Sequence, residues 1–347
     1  MVNTADKYDA VLLVSFGGPE GPDDVLPFLQ RVTQGRNVPP NRLQEVAEHY
    51  HQFGGVSPLN AQNRALIAAL VHELGDHGPR LPIYWGNRNW HPLLSDALRQ
   101  MVADGIHRAL ALVTSAYSSY SGCRQYLEDI ERARAQAGPD APRVDKLRVF
   151  YNHPGFIEPM MENVQLALEE LPEQHRAEAE MIFTAHSIPL NMAQTCDYQR
   201  QLEESSRLVS EGVGHTNWRL VYQSRSGPPS QKWLEPDVRD VLRELAAQGS
   251  SKHLILIPIG FISDHLEVLF DLDVEAAEIC RESGLNMVRA ATVGVHPRFV
   301  QMIRELIVEW THDQPSRLAL GQYGPSHDIC PADCCLFDKS RPEEPKK

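Results

Sequence analysis

The sequence predicts an α/β protein of two doubly wound domains, each with a four-stranded parallel sheet flanked by helices. Short, fully apolar runs recur, such as those inside Tyr8–Ser15 and His253–Gly260, without the alternation of a half-exposed strand. Such runs suit strands covered on both faces. Helical periods separate them, and the order strand–helix passes through four strands and then through four more. The 347 residues suffice for two domains with substantial cores.

The first strand is expected over Tyr8–Ser15, running into Phe16-Gly17-Gly18-Pro19, a turn that lets backbone approach a ligand closely. Helices follow near Pro22–Gln34 and Leu43–Phe53, and the segment Val56-Ser57-Pro58-Leu59 opens another that runs to Gly75. Further strands are read at Leu81–Gly86, Ala109–Thr114 and Leu147–Tyr151. The second set has strands at Met181–Ala185, Trp218–Ser224, His253–Gly260 and Asn286–Val295. Helices are read near Gly155–Leu171, Ala193–Gly212, Pro236–Gln248, Leu266–Gly284 and His296–His312. The expected division is 1–153, 154–295 and a polar, irregular tail at 313–347. The helix near 296–312 is assigned back to the first domain.

Composition narrows the function. Apolar residues at 42% and charged ones at 23% describe an ordinary globular protein. A net charge of −13 without long single-sign blocks argues against nucleic acid as partner and against electrostatic docking on anionic lipid. No apolar run approaches the roughly 20 residues of a membrane helix, and Met1–Tyr8 lacks the regions of a signal peptide. A cytoplasmic location is expected, and the six cysteines are not read as a disulfide framework.

Chemistry concentrates at two strand ends. Asp264, His265, Glu267 and Asp271 crowd the passage from the strand at 253–260 into the next helix. In open α/β sheets ligands bind at that edge. Glu267, Asp271 and Glu275 are spaced four and four, a line along one helix face. Alone, that line reads as a solvated acidic face; three carboxylates in a row otherwise call for a cation or water. At the other end, His186 closes the strand in Thr184-Ala-His-Ser-Ile-Pro189. Single histidines are commonly structural, but imidazole facing carboxylate across a cleft suits metal handling or proton abstraction.

Thr184–Pro189 together with Gly260-Phe-Ile-Ser-Asp-His-Leu-Glu-Val-Leu269 resembles the paired signature of ferrochelatases, lyases that insert ferrous iron into a porphyrin. Ser15–Pro19, Gly54-Gly-Val-Ser-Pro-Leu59, Tyr222–Ser226 and Trp233–Asp237 extend the resemblance over about residues 8–312. It implies two Rossmann-like domains with the porphyrin between them. It implies further that His186 and Glu267 meet the iron and the pyrrole protons, with their roles not divided. Asp271 and Glu275 would extend the acidic line outward. Ser57, Tyr126 and Arg31 match positions that contact the porphyrin. Phe16 departs from members that place a Tyr there, so an apolar wall replaces that axial contact.

The tail places Cys330, Cys334 and Cys335 within six residues. Clustered thiolates point to a soft metal, zinc or iron–sulfur. Actinobacterial-type ferrochelatases, which this tail resembles, hold a [2Fe–2S] cluster on C-terminal cysteines plus one upstream. Cys123 is the choice for the fourth ligand; Cys196 and Cys280 remain alternatives, each in a helical pattern where a small core residue is the bland explanation. No electron transfer is expected, because metal insertion is not a redox reaction. The resemblance favours coproporphyrin III as substrate, with Arg31, Arg36 and His49 as candidate rim groups for its propionates. Protoporphyrin IX, a cobalt chelatase of the same superfamily and a non-catalytic porphyrin or haem carrier are the alternatives. Fe²⁺ is the second substrate, with transient iron-donor and haem-acceptor proteins as expected partners.

Overall fold

The structure, a computed structural model, describes residues 8–35, 38–227, 230–249, 252–313 and 315–337. Strands β1 (Ala10–Ser15), β2 (Ile83–Asn87), β3 (Arg108–Val113) and β4 (Arg143–Lys146) form a parallel sheet in the order β2-β1-β3-β4. Strands β5 (Glu180–His186), β6 (Trp218–Gln223), β7 (His253–Ile257) and β8 (Asn286–Arg289) repeat that order as β6-β5-β7-β8. The central strands are buried along their length, as in Ala10–Ser15. The edge strands β4 and β8 carry Arg143, Asp145, Asn286 and Arg289, polar groups that suit a rim facing water.

The fourth strand lies earlier than the apolar run predicts. Leu147–Tyr151 is buried, yet only Leu147 continues the ladder, its N–H donating to the Ala111 carbonyl at 2.9 Å. The run instead crosses to the second domain inside the core, and the polar Arg143–Lys146 pairs with β3. Hydrophobicity marked burial there, not strand pairing. The domains also share a core: Val11, Leu13 and Leu110 belong to the same buried cluster as Met181, Phe183 and Ile255, with Phe150, Phe156 and Phe299 between. Separate clusters cover the outer faces, around Leu98 and Ile130 in one domain and Leu242 and Leu272 in the other.

The last helix, Pro297–Thr311, packs on both domains. Arg304 meets Glu73 of helix Leu59–His77 at 2.7 Å, and Arg298 meets Glu158 of helix Pro154–Glu169 at 2.9 Å. The tail is irregular but pinned. Buried Arg148 pairs with Glu309 in a two-pronged contact (2.7 and 2.8 Å) and donates to the Leu318 carbonyl. Asn152 donates to the carbonyls of Leu320 and Gly324. No helix among the described residues is long and apolar enough to cross a membrane.

Candidate active site and thiol site

In each sheet the strand order reverses between the two central strands, which opens a crevice at their C-terminal ends. His186 ends β5, and Glu267 follows β7, so both stand at the second sheet's reversal point. Gly260 makes the approach possible. Its N–H donates to the Thr184 carbonyl at 3.0 Å, and a Cβ there would stand 2.6 Å from that of Ala185. The chain leaving β7 therefore lies against β5 and carries Glu267 back over its end.

His186 Nε2 lies 3.7 Å from Glu267 Oε2, the side chains 35% and 51% exposed. His186 Nδ1 contacts the Ser187 carbonyl. A carbonyl only accepts, so Nδ1 carries the hydrogen and Nε2 keeps its lone pair toward Glu267. Tyr198 donates its hydroxyl to the His186 carbonyl at 3.0 Å and holds the strand end. An imidazole lone pair beside a carboxylate can bind a cation or take protons.

The helix bearing the acids is not a plain α-helix. Residues Leu269–Ala276 widen to π-helical turns between short α segments, a distortion frequent at functional sites. Asp271 Oδ2 accepts from Gln223 Nε2 at 3.2 Å and from the Ser224 hydroxyl. Burial, helped by the charges of Glu267 and Glu275, pushes its carboxyl up to about 6 against those bonds. Glu275 meets Arg239 at 3.3 Å. The line of three carboxylates thus runs from an open acid through a half-buried one to an ion-paired one. Gln223 is the residue that sequence reasoning missed. Its register partner is His186, and its place in the Tyr222–Ser226 motif was the available signal.

The N-terminal domain supplies the facing wall. Phe16 is 37% exposed, packs edge-on to Phe28 and lies beneath Arg88. The same guanidinium covers the Tyr126 ring at 4.4 Å and pairs with Asp129. Tyr126 itself is buried in the outer core of that domain, so it stands behind Phe16 and Arg88. Ser57 is buried against Gly18, where a Cβ would come within 2.5 Å of its own. Arg31 is exposed at the end of helix Val25–Val32, with no ion pair among the described residues. Arg36 lies outside the described residues. His49 stacks on Phe270 at 4.0 Å, joining helix Pro40–Gln52 to the acid-bearing helix. Tyr50 beside it has its phenol pushed up by burial and by the Glu267 charge.

At the root of the cleft, the buried Tyr117 hydroxyl donates to the Ile259 carbonyl at 2.9 Å, joining the loop after β3 to the chain leaving β7. Gln201 and Ser118 exchange two hydrogen bonds, at 2.7 and 2.9 Å.

The cysteines gather at a second place. Cys123, buried in the π-helical turn Tyr120–Arg124, lies beside Cys330 and Cys335. Those thiols, with Lys146, push Cys123 strongly down and are themselves pushed up. Cys334 Sγ is 3.5 Å from Cys335 Sγ. Arg124, next in sequence to Cys123, donates to the carbonyls of Ala332 and Cys334 at 2.7 and 2.9 Å. Cys335 takes a left-handed backbone, φ +54°, at this turn. Cys196 donates to the Met192 carbonyl and is raised by burial. Cys280 belongs to the outer core of the second domain and is also raised by burial.

Two such domains, with an imidazole–carboxylate pair in the cleft, define a protein of the chelatase fold. SirB from Bacillus subtilis with Fe³⁺ superposes with a TM-score of 0.53 at 14% identity, covering 86% of this chain and 96% of that one. The sirohydrochlorin chelatase SirB in complex with cobalt does so with 0.51 at 11% identity, covering 88% and 96%. The sequence goes further: the ferrochelatase family profile matches residues 8–310, and the chain belongs to the ferrochelatase family. A ferrochelatase of Rhodopirellula baltica is 56% identical over 96% of this chain and 95% of its own length. A coproporphyrin III ferrochelatase of Streptomyces griseus is 51% identical over 96% and 95%.

Proposed function

We propose that the chain inserts ferrous iron into coproporphyrin III, a step of haem biosynthesis in the cytoplasm. The observation that carries the reaction is the 3.7 Å approach of His186 Nε2 to Glu267 Oε2 in the cleft, both open to a ligand. The relatives named for coproporphyrin III, at about half identity over nearly the whole chain, support the substrate.

Insertion removes two pyrrole protons from the macrocycle while the iron sheds water. In this reading His186 Nε2 and the Glu267 carboxylate are the base and the metal-contacting group, and they meet the ring from the side of the second domain. Asp271, its carboxyl raised to about 6 by burial, is the next acceptor for a departing proton. Phe16 on the opposite wall offers an apolar face and no ligand atom. Arg31, with its guanidinium unengaged among the described residues, is a partner for a propionate.

Cys123, Cys330, Cys334 and Cys335 fit a [2Fe–2S] cluster, because their thiols converge and thiolate is that cluster's ligand. Such a group would supply a covalent tie between the tail and the loop after β3; insertion itself requires no electron from it.

The test is anaerobic insertion by purified protein with Fe²⁺ and either coproporphyrin III or protoporphyrin IX, followed by absorbance. Faster turnover of coproporphyrin III supports the proposal. A preference for protoporphyrin IX overturns the substrate, and tight binding without insertion makes the protein a carrier.

A further inference from the structure

His327 is absent from the four-thiol set, yet its ring reaches the same place. One ligand atom each from His327, Cys330 and Cys334 lie within 4.8 Å of one another. His327 Nε2 is 3.9 Å from Cys334 Sγ, and Cys334 Sγ is 3.5 Å from Cys335 Sγ. Two sulfurs on one tetrahedral zinc-sized ion stand about 3.8 Å apart, and a sulfur and a nitrogen about 3.6 Å. The two separations made by Cys334 match edges of such a tetrahedron, and Cys335 reaches the group through Cys334. Spacing agrees: two residues separate His327 from Cys330, and three separate Cys330 from Cys334, within the short spacings of structural zinc sites.

We infer that the segment 327–335 binds one thiophilic divalent cation, Zn²⁺ in class, with His327, Cys330 and Cys334 as the preformed ligands and Cys335, 3.5 Å from Cys334, swinging in to close the fourth position when the cation binds. The site shares three thiols with the cluster position and differs in its fourth donor, His327 in place of Cys123. One loop then has two mutually exclusive occupants, and the fourth donor decides which. Arg124 prepares the site for either, because its two bonds to the Ala332 and Cys334 carbonyls shape the loop without using a ligand atom. His327 is exposed and makes no contact that the fold needs, so its substitution leaves the rest of the chain intact.

Co²⁺ titrated anaerobically into the full-length apoprotein tests the inference, since it reports tetrahedral thiolate ligation by visible absorption. The parent and Cys123→Ser should bind one equivalent with the same spectrum, and Zn²⁺ should displace it. His327→Ala should weaken binding by at least ~10–100-fold, the loss that even a ligand's outer partner causes, and shift the bands. After iron–sulfide reconstitution the pattern should invert: His327→Ala retains any cluster absorption that the parent acquires, and Cys123→Ser loses it. Parent-like Co²⁺ affinity and spectrum in His327→Ala, loss of Co²⁺ binding in Cys123→Ser, or no tetrahedral spectrum in the parent would each overturn the inference. A parent that acquires no cluster would overturn the cluster reading alone.

Discussion

Gln62 grips Asp264 by both backbone polar groups: its Oε1 accepts from the Asp264 N–H and its Nε2 donates to the Asp264 carbonyl, each at 3.0 Å. A side chain of the first domain thereby completes the loop that delivers Glu267, three residues on. Gln62→Ala should lower unfolding free energy by about 1–3 kcal/mol, the range for two neutral bonds of which one leaves a backbone group wanting a partner. Denaturant titration measures this, and insertion should slow with porphyrin affinity little changed. Parent-like stability and rate would show that the grip does not order the loop.

Glu267→Gln keeps the shape of the site and removes its base. Turnover should fall by roughly 10²–10⁴-fold, the usual worth of a positioned proton acceptor, while porphyrin binding measured by fluorescence quenching stays near the parent value. Unchanged turnover would remove Glu267 from the chemistry.

The raised Asp271 carboxyl makes stability depend on pH in a defined direction. Its folded value, about 6, exceeds the ordinary 3.8, so the fold favours the protonated form. This contribution is fully present below 3.8 and is lost as pH rises through about 6. Relative to Asp271→Asn, the parent should therefore gain stability as pH falls across that interval. A constant gap between the two denaturation curves would contradict the assignment.

Arg148 and Glu309 are 0% and 3% exposed, and removing one partner leaves the other charge buried. Glu309→Gln should cost about 3–5 kcal/mol, read by denaturant unfolding. It should also free the tail to proteolysis, because the same guanidinium holds the Leu318 carbonyl.

Among the cysteines, Cys123→Ser should abolish the visible absorption and the bound iron and sulfide of reconstituted protein, and Cys280→Ser should leave them unchanged. Equal loss in both would point to general misfolding.

The two sheets were legible because parallel strands buried on both faces must be apolar runs, and His186 and Glu267 because each ends or follows such a run. Leu147–Tyr151 misled for the same reason, since burial alone does not distinguish a strand from a core crossing. The wider turns at Leu269–Ala276 leave no periodic trace, since three acids spaced by four residues fit either helix. Gln223 and Gln62 matter through register and through contact between domains, neither of which a linear pattern carries. Arg36 is the rim candidate that falls outside the described residues, and a lone His327 three residues before Cys330 carries no signal of its own in a linear pattern.

The root of the cleft and its mouth are fastened with different strength. Tyr117 to Ile259 is a buried hydrogen bond inside the shared core, whereas His49 on Phe270 is a ring-on-ring contact at the lip. A stacked pair contributes only ~0.5–1.5 kcal/mol beyond area burial, so thermal motion breaks it often, and the core contact seldom. When the ring pair parts, the two halves therefore stay joined at the root.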